Sequence, residues 1–193
     1  MDTDAPTMPP AALPWLLWGS AEKPNQRVAL AAGPLQMVFE PQTGFLRHVR
    51  CGGHELIRGV YAAVRGPGWR TITPVISSLV TQVSGRAFSL SFHAVCHAPP
   101  VWFEWDGAVR GTEDGTVTFS MNGIAHTTFM RNRIGFCVLH PIEGCAGEPC
   151  VIEHTDGTLE HGKFPYFIAP HQPFQHLRAI THTIDGVETR AAF

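Results

Sequence analysis

From Arg27 onward the apolar residues of this chain fall in short alternating or continuous runs, closed off by Gly, Pro, Asn or Asp. Alternation with period two places successive side chains on opposite faces of a strand, and no stretch of 12 residues keeps the 3.6 period of a helix. The pattern predicts strands over 27–32, 35–40, 45–50, 55–65, 75–83, 88–97, 101–110, 116–121, 124–130, 133–140, 151–155, 177–183 and 187–192. Many short strands with turn residues between them define an all-β chain built as an antiparallel β-sandwich. Residues 1–24, rich in Pro and Ala and without a period, read as an extended arm pinned by Trp15 and Trp18. Residues 25–193 read as one sandwich domain, a length that a single core can fill.

Asn-Gly and Asp-Gly pairs mark the tightest reversals, because a type I′ turn needs positive φ at both central residues. Asn122-Gly123, Asp156-Gly157 and Asp185-Gly186 are therefore read as two-residue hairpin turns. The first would put Val117, Phe119, Met121, Ile124 and His126 on one core-facing side, making His126 a core histidine. The second would set Glu153 opposite Glu160 and His154 diagonal to His161, with both glutamates solvated. Asp106-Gly107 lies inside a long strand-like run and fits either a bulge or a hairpin. The last strand runs to the end of the sequence with no closing turn, so the chain reads as the front part of a longer protein. Such an open edge suits pairing with a second copy or with the remainder of that protein.

Composition narrows the partners. A hydrophobic fraction of 44% against 16% charged residues supports a real core and is too apolar for a disordered chain. A formal charge of −2 offers no basic surface for a phosphate backbone, which argues against nucleic acid. Five cysteines, Cys51, Cys96, Cys137, Cys145 and Cys150, form an odd set without C-x-x-C spacing and fit a reducing cytoplasm. The N-terminus carries Asp2, Asp4 and prolines where a secretory signal needs basic residues, and the apolar run 13–18 is too short to cross a bilayer. No membrane association is expected. Neither a G-x-S-x-G elbow, a phosphate-binding G-x-x-x-x-G-K-[ST] loop nor a dinucleotide G-x-G-x-x-G is present. With no H-x-H or H-E-x-x-H spacing among 11 histidines, no metal and no cofactor is expected.

The richest segment is the block 131–141, a nearly continuous apolar run flanked by arginines and a His-Pro, which reads as a central strand buried on both faces. Arg131 and Arg133 share one side and form a fork of donors for a carboxylate or sugar hydroxyls, although the same pair suits rim ion pairs. His140, at the strand's end, is a candidate general acid or base, with Glu143 three residues on as its partner. The loop 170–176 carries His171, Gln172, Phe174 and His176 between stiffening prolines, a set suited to polyol recognition. Two rival readings use the same fold. A sugar-binding or scaffolding sandwich would present Trp69, Trp102, Trp105 and Phe174 as an aromatic platform. A supersandwich of the mutarotase kind would use a His and a Glu to move protons at an anomeric centre.

Several of these stretches together resemble a known family. Phe45-Leu46-Arg47-His48-Val49-Arg50 with Gly53 and Glu55, Arg58-Gly59-Val60-Tyr61, the block 131–141, Phe164-Pro165 and Pro170-His171-Gln172-Pro173-Phe174 look like the N-terminal region of the bacterial D-apionate lactonases. The resemblance covers residues from about Gly33 to the end, and the block 131–141 is its most specific part. It implies a β-sandwich followed by a barrel-like α/β region, and hydrolysis of the lactone of a branched-chain sugar acid in the cytoplasm. The implied partner is a small sugar acid or its lactone. No catalytic residue carries over from the resemblance. On chemical grounds, lactone opening needs an activated water and a group that stabilises the oxyanion, roles open to His140 with Arg131 or Arg133.

Overall fold

The computed structural model describes residues 26–167 and 172–193, and the all-β expectation holds. Among the described residues there are thirteen strands and no helix, arranged in three antiparallel sheets. The first sheet runs β1 (Val28–Ala32), β2 (Leu35–Glu40), β3 (Phe45–Cys51) and β4 (His54–Arg65) in chain order. The second is a meander of β5 (Val75–Ser84), β6 (Ala87–Ala98), β7 (Val101–Gly111) and β8 (Val117–Ala125). The chain then returns to the first sheet, where β9 (Arg133–Leu139) pairs with β4.

These two sheets close on a common core, with Phe39, Leu46 and Val64 from one and Phe92, Trp105 and Val109 from the other. Phe92 sits at its centre, its ring centroid 5.4 Å from Phe39, 5.1 Å from Trp105 and 6.2 Å from Phe119. The period-two pattern explains the placement. Along β7 each second residue from Val101 to Gly111 is buried, while Trp102, Asp106 and Arg110 point outward.

Two Gly-containing pairs behave differently from expectation. Asn122-Gly123 is not a turn: β8 runs through it, with Asn122 opposite Asp106 and Gly123 opposite Trp105. Ile124 and His126 are correspondingly exposed or at the surface, and the core side of β8 is Val117, Phe119 and Met121. Asp106-Gly107 lies in unbroken register with both neighbours and is neither bulge nor hairpin. Both glycines are cut-outs for aromatic rings on the adjoining strands. A Cβ at Gly107 would lie 2.4 Å from Phe92 Cζ, and one at Gly123 would lie 2.4 Å from Phe103 Cζ. The need here is space beside a cross-strand ring, which a local turn signal does not register.

The third sheet comprises β10 (Pro149–His154), β11 (Leu159–Lys163), β12 (Leu177–Ile184) and β13 (Val187–Ala192), in the order β11-β10-β12-β13. Its core of Cys145, Cys150, Ile152, Phe164, Ile180 and Ile184 takes in Leu56 of β4, whereas the next residue, Ile57, belongs to the sandwich core. One strand thus serves two cores through its alternating faces. The Asp185-Gly186 turn is as expected, joining Ile184 to Val187 with φ of 48° and 81°. Asp156-Gly157 instead sits in a longer loop, and Glu153 pairs with Leu159 while Glu160 pairs with Ile152. The facing glutamates of the sequence reading do not exist. Glu153 meets Arg190 at 2.6 Å and Arg178 at 3.3 Å, and Glu160 meets His154 at 3.0 Å.

Candidate functional site

The block 131–141 forms β9, but as the edge of the five-stranded sheet, half-buried along its length. Its apolar run is covered on one side, where Phe136 meets Phe119 at 4.8 Å, so continuous hydrophobicity here does not mean burial on both faces. Arg131 is exposed and precedes the strand, while Arg133 opens it and donates from Nη2 to Gln172 Oε1 at 3.3 Å. Two candidate substrate ligands therefore meet, one from a strand end and one from the Pro-rich loop. His176 of the same loop is exposed, and His171 lies outside the described residues.

His140 follows the opposite end of β9. The pairing of β4 with β9 is unbroken from Arg65↔Arg133 to Gly59↔Leu139, so the strand is extended throughout. At ~3.3 Å per residue, Arg133 and His140 are held roughly 20 Å apart along the strand. A lactone ring is far smaller than that span, so these two residues do not act on one carbonyl. Glu143 is exposed, and among the described residues no hydrogen bond or ion pair joins it to His140. The neighbours of His140 are Phe164, at 4.8 Å between ring centroids, and His182 of β12, at 5.0 Å.

This second end holds a largely buried polar cluster beside apolar side chains. Cys145, on the connection from β9 to β10, places Sγ 4.0 Å from His182 Nδ1. His140 Nδ1 and His182 Nε2 are buried with no hydrogen-bond partner among the described residues. Burial, helped by repulsion from His182, pushes the His140 imidazole down to about 4. Burial also lowers His182, and burial together with the nearby Cys150 pushes the Cys145 thiol up to about 11. Both imidazoles are thus neutral at pH 7. The spacing rules missed this trio because its members come from three elements, two of them 37 residues apart.

A third group lies on the outward face of the second sheet. Trp102, 40% exposed, donates from Nε1 to Glu104 Oε1 at 2.9 Å, and its ring lies 4.8 Å from that of His126. His126 Nε2 contacts Glu104 at 3.0 Å, and His93 Nδ1 contacts Asp106 at 2.9 Å. The Trp102 hydrogen bond, with help from His126 and His93, holds the Glu104 carboxyl below its usual range against an opposing desolvation. His126, read from sequence as a core residue, is therefore part of a surface polar cluster. Trp105 is in the core and Phe174 packs on the third sheet's cluster, so of the four platform aromatics Trp69 and Trp102 remain at the surface. His93 and His97 have the H-x-x-x-H spacing that chelates on a helix, but on β6 their Cα atoms lie roughly 13 Å apart.

A cleft of about 700 Å³ opens between the first sheet, β8 and β13 and is lined chiefly by apolar side chains such as Ile57, Phe119, Phe136 and Val138. Asp114, Glu188, Thr189 and Arg190 are the polar exceptions in that lining. No helix among the described residues is long and apolar enough to cross a membrane.

The class defined by this architecture is an all-β sandwich domain with a third sheet packed against it and small polar groups set at strand ends. Comparison with known proteins makes the assignment specific. Residues 15–193 match the model of the D-apionate lactonase N-terminal domain, and the chain belongs to that family. It is 39% identical over 170 residues to the D-apionate lactonase of Brucella anthropi, covering 88% of this chain and 28% of that protein. The chain thus spans well under a third of the length of that relative. No solved structure matches it.

Proposed function

We propose that this domain serves in the hydrolysis of a sugar lactone of the D-apionolactone type to its free acid, as the N-terminal part of the catalytic assembly. The observation that carries the reading is the 39% identity to a D-apionate lactonase, extending through 88% of the chain. Its contribution is substrate binding at the Arg133 end of β9. There the guanidinium, fixed in part by Gln172, presents its remaining donors to a hydroxyl or carboxylate, with Arg131, His171 and His176 close in sequence to that pair. Removal of this donor would weaken substrate binding more than turnover, because it holds the ligand without touching the reacting carbonyl.

The test is acid release from aldonolactones in a pH-stat, using the 193-residue chain and the gene extended through its downstream reading frame. Activity is expected in the extended protein, with KM raised and kcat little changed by Arg133→Ala. An extended protein that opens no lactone above the spontaneous rate would overturn the reading.

A second reading is carried by the outer face of the second sheet. Trp102, hydrogen-bonded to Glu104 and 4.8 Å from the His126 ring, resembles a sugar platform, in which a ring face stacks on C–H groups while neighbouring carboxylates take hydroxyls. This would be carbohydrate binding without catalysis.

A further inference from the structure

We infer that His140, Cys145 and His182 bind a single zinc-class cation at the seam between the sandwich and the third sheet. One donor atom of each residue lies within 4.8 Å of those of the other two. Two imidazoles and a thiolate form a donor set for Zn²⁺ and its borderline-soft relatives, whereas Mg²⁺ and Ca²⁺ take oxygen ligands.

Three observations support a bound ion over a packing accident. Cys145 is 2% exposed and His182 4%, so two of the three donor residues are withdrawn from water, with His140 half-buried beside them. Each ring keeps one buried nitrogen without a hydrogen-bond partner among the described residues, a rare condition for buried polar atoms. Phe164 packs on both rings, at 4.8 and 5.4 Å, and supplies the apolar surround that strengthens metal–ligand bonds.

The fit requires a small contraction. With Zn–N near ~2.0 Å and Zn–S near ~2.3 Å, tetrahedral donors stand roughly 3.3–3.8 Å apart. The present spread must therefore close by about 1 Å. Cys145 is placed to do this because it lies in the turn whose Cys145 and Ala146 amides both bond to the Ile142 carbonyl, outside any strand. Rotation about its χ1 moves Sγ without disturbing a ladder. Three protein donors leave a fourth position for water or another ligand. The ion would tie the end of β9 and its following connection to β12, two segments that no strand pairing joins among the described residues. This inference is independent of the lactonase reading.

The experiment uses the chelator-treated, desalted chain titrated with Co²⁺ and then Zn²⁺. Expected are one Co²⁺ per chain, a thiolate-to-cobalt charge-transfer band, and loss of that band as Zn²⁺ displaces the probe. Cys145→Ser removes the band, His140→Gln weakens cobalt binding at least tenfold, and His54→Gln, outside the cluster, changes neither. Should Cys145→Ser not fold, as judged by circular dichroism, the half-buried His140 substitution carries the test. The inference is overturned if the parent chain takes up no stoichiometric cobalt, or if the band survives in folded Cys145→Ser.

Discussion

Gly107 offers a sharp test of why the second sheet has the register it does. An alanine Cβ there would sit 2.4 Å from Phe92 Cζ and 2.7 Å from both Cε atoms, more than 1 Å inside ordinary contact. The ring has nowhere to go, since Phe92 is 3% exposed and boxed in by Phe39, Trp105 and Phe119. Overpacking of this kind costs about 1–3 kcal/mol. Loss of the glycine's unfolded-state freedom offsets about 0.5–1 kcal/mol. The balance is a destabilisation of about 1–2 kcal/mol, or a Tm lowered by roughly 2–8 °C for a domain of this size. Urea denaturation of Gly107→Ala, Phe92→Leu and the double variant measures it. The double variant should be less destabilised than the sum of the two singles, because the smaller side chain vacates the space the new methyl needs. Gly68→Ala, where a Cβ meets nothing within 4 Å, should stay within about 0.5 kcal/mol of the parent. A Gly107→Ala protein as stable as the parent, or strict additivity, would refute the steric account.

The buried imidazole at the end of β9 makes stability pH-dependent in the metal-free protein. Folding holds His140 at about 4 while the unfolded ring titrates near 6.5, so the unfolded chain takes up the proton first as the pH falls. Stability present above pH 6.5 is therefore lost progressively towards pH 4, by up to about 3 kcal/mol. The urea midpoint of chelator-treated protein should drop between pH 7 and 5, and His140→Gln should flatten that drop. On the outer face, the carbohydrate-binding reading requires tryptophan fluorescence to shift with some member of a panel of sugars and sugar acids, and Trp102→Ala to abolish the shift. A flat response across the panel in the parent chain would remove that reading.

Much of the fold was legible because burial here follows the period-two rule closely. β6 and β7 alternate almost without exception, and their limits lie within a residue or two of those read from the sequence. The failures share a cause. At Asn122-Gly123 the dipeptide favours a turn, yet β7 offers a continuous partner and Phe103 needs the missing Cβ, so cross-strand packing overrides local preference. In β9 an apolar run is the same whether the strand is central or is an edge covered by its neighbours, and only pairing separates the two. Of the candidate site, the Arg133–Gln172 contact joins two segments singled out separately, 39 residues apart. The link itself needed the fold. The His140, Cys145 and His182 cluster was invisible to spacing rules for the same reason, since those rules describe ligands on one helix or one short loop.

The geometry of β9 also bears on how much chemistry this domain can hold. Its seven residues separate an exposed, arginine-bearing end from a buried, histidine-bearing one. General acid–base catalysis requires the titrating group within hydrogen-bond reach of the reacting atom, and a roughly 20 Å span is several times that reach. A substrate held by Arg133 is therefore out of range of His140, whose ring packs against Phe164 and His182. If the Arg133 end binds the lactone, the water-activating group must come from beyond the residues of β9. That division agrees with a match that covers 28% of the relative's length, and under the proposed function it gives Arg133 and Gln172 a part in binding more than in bond breaking.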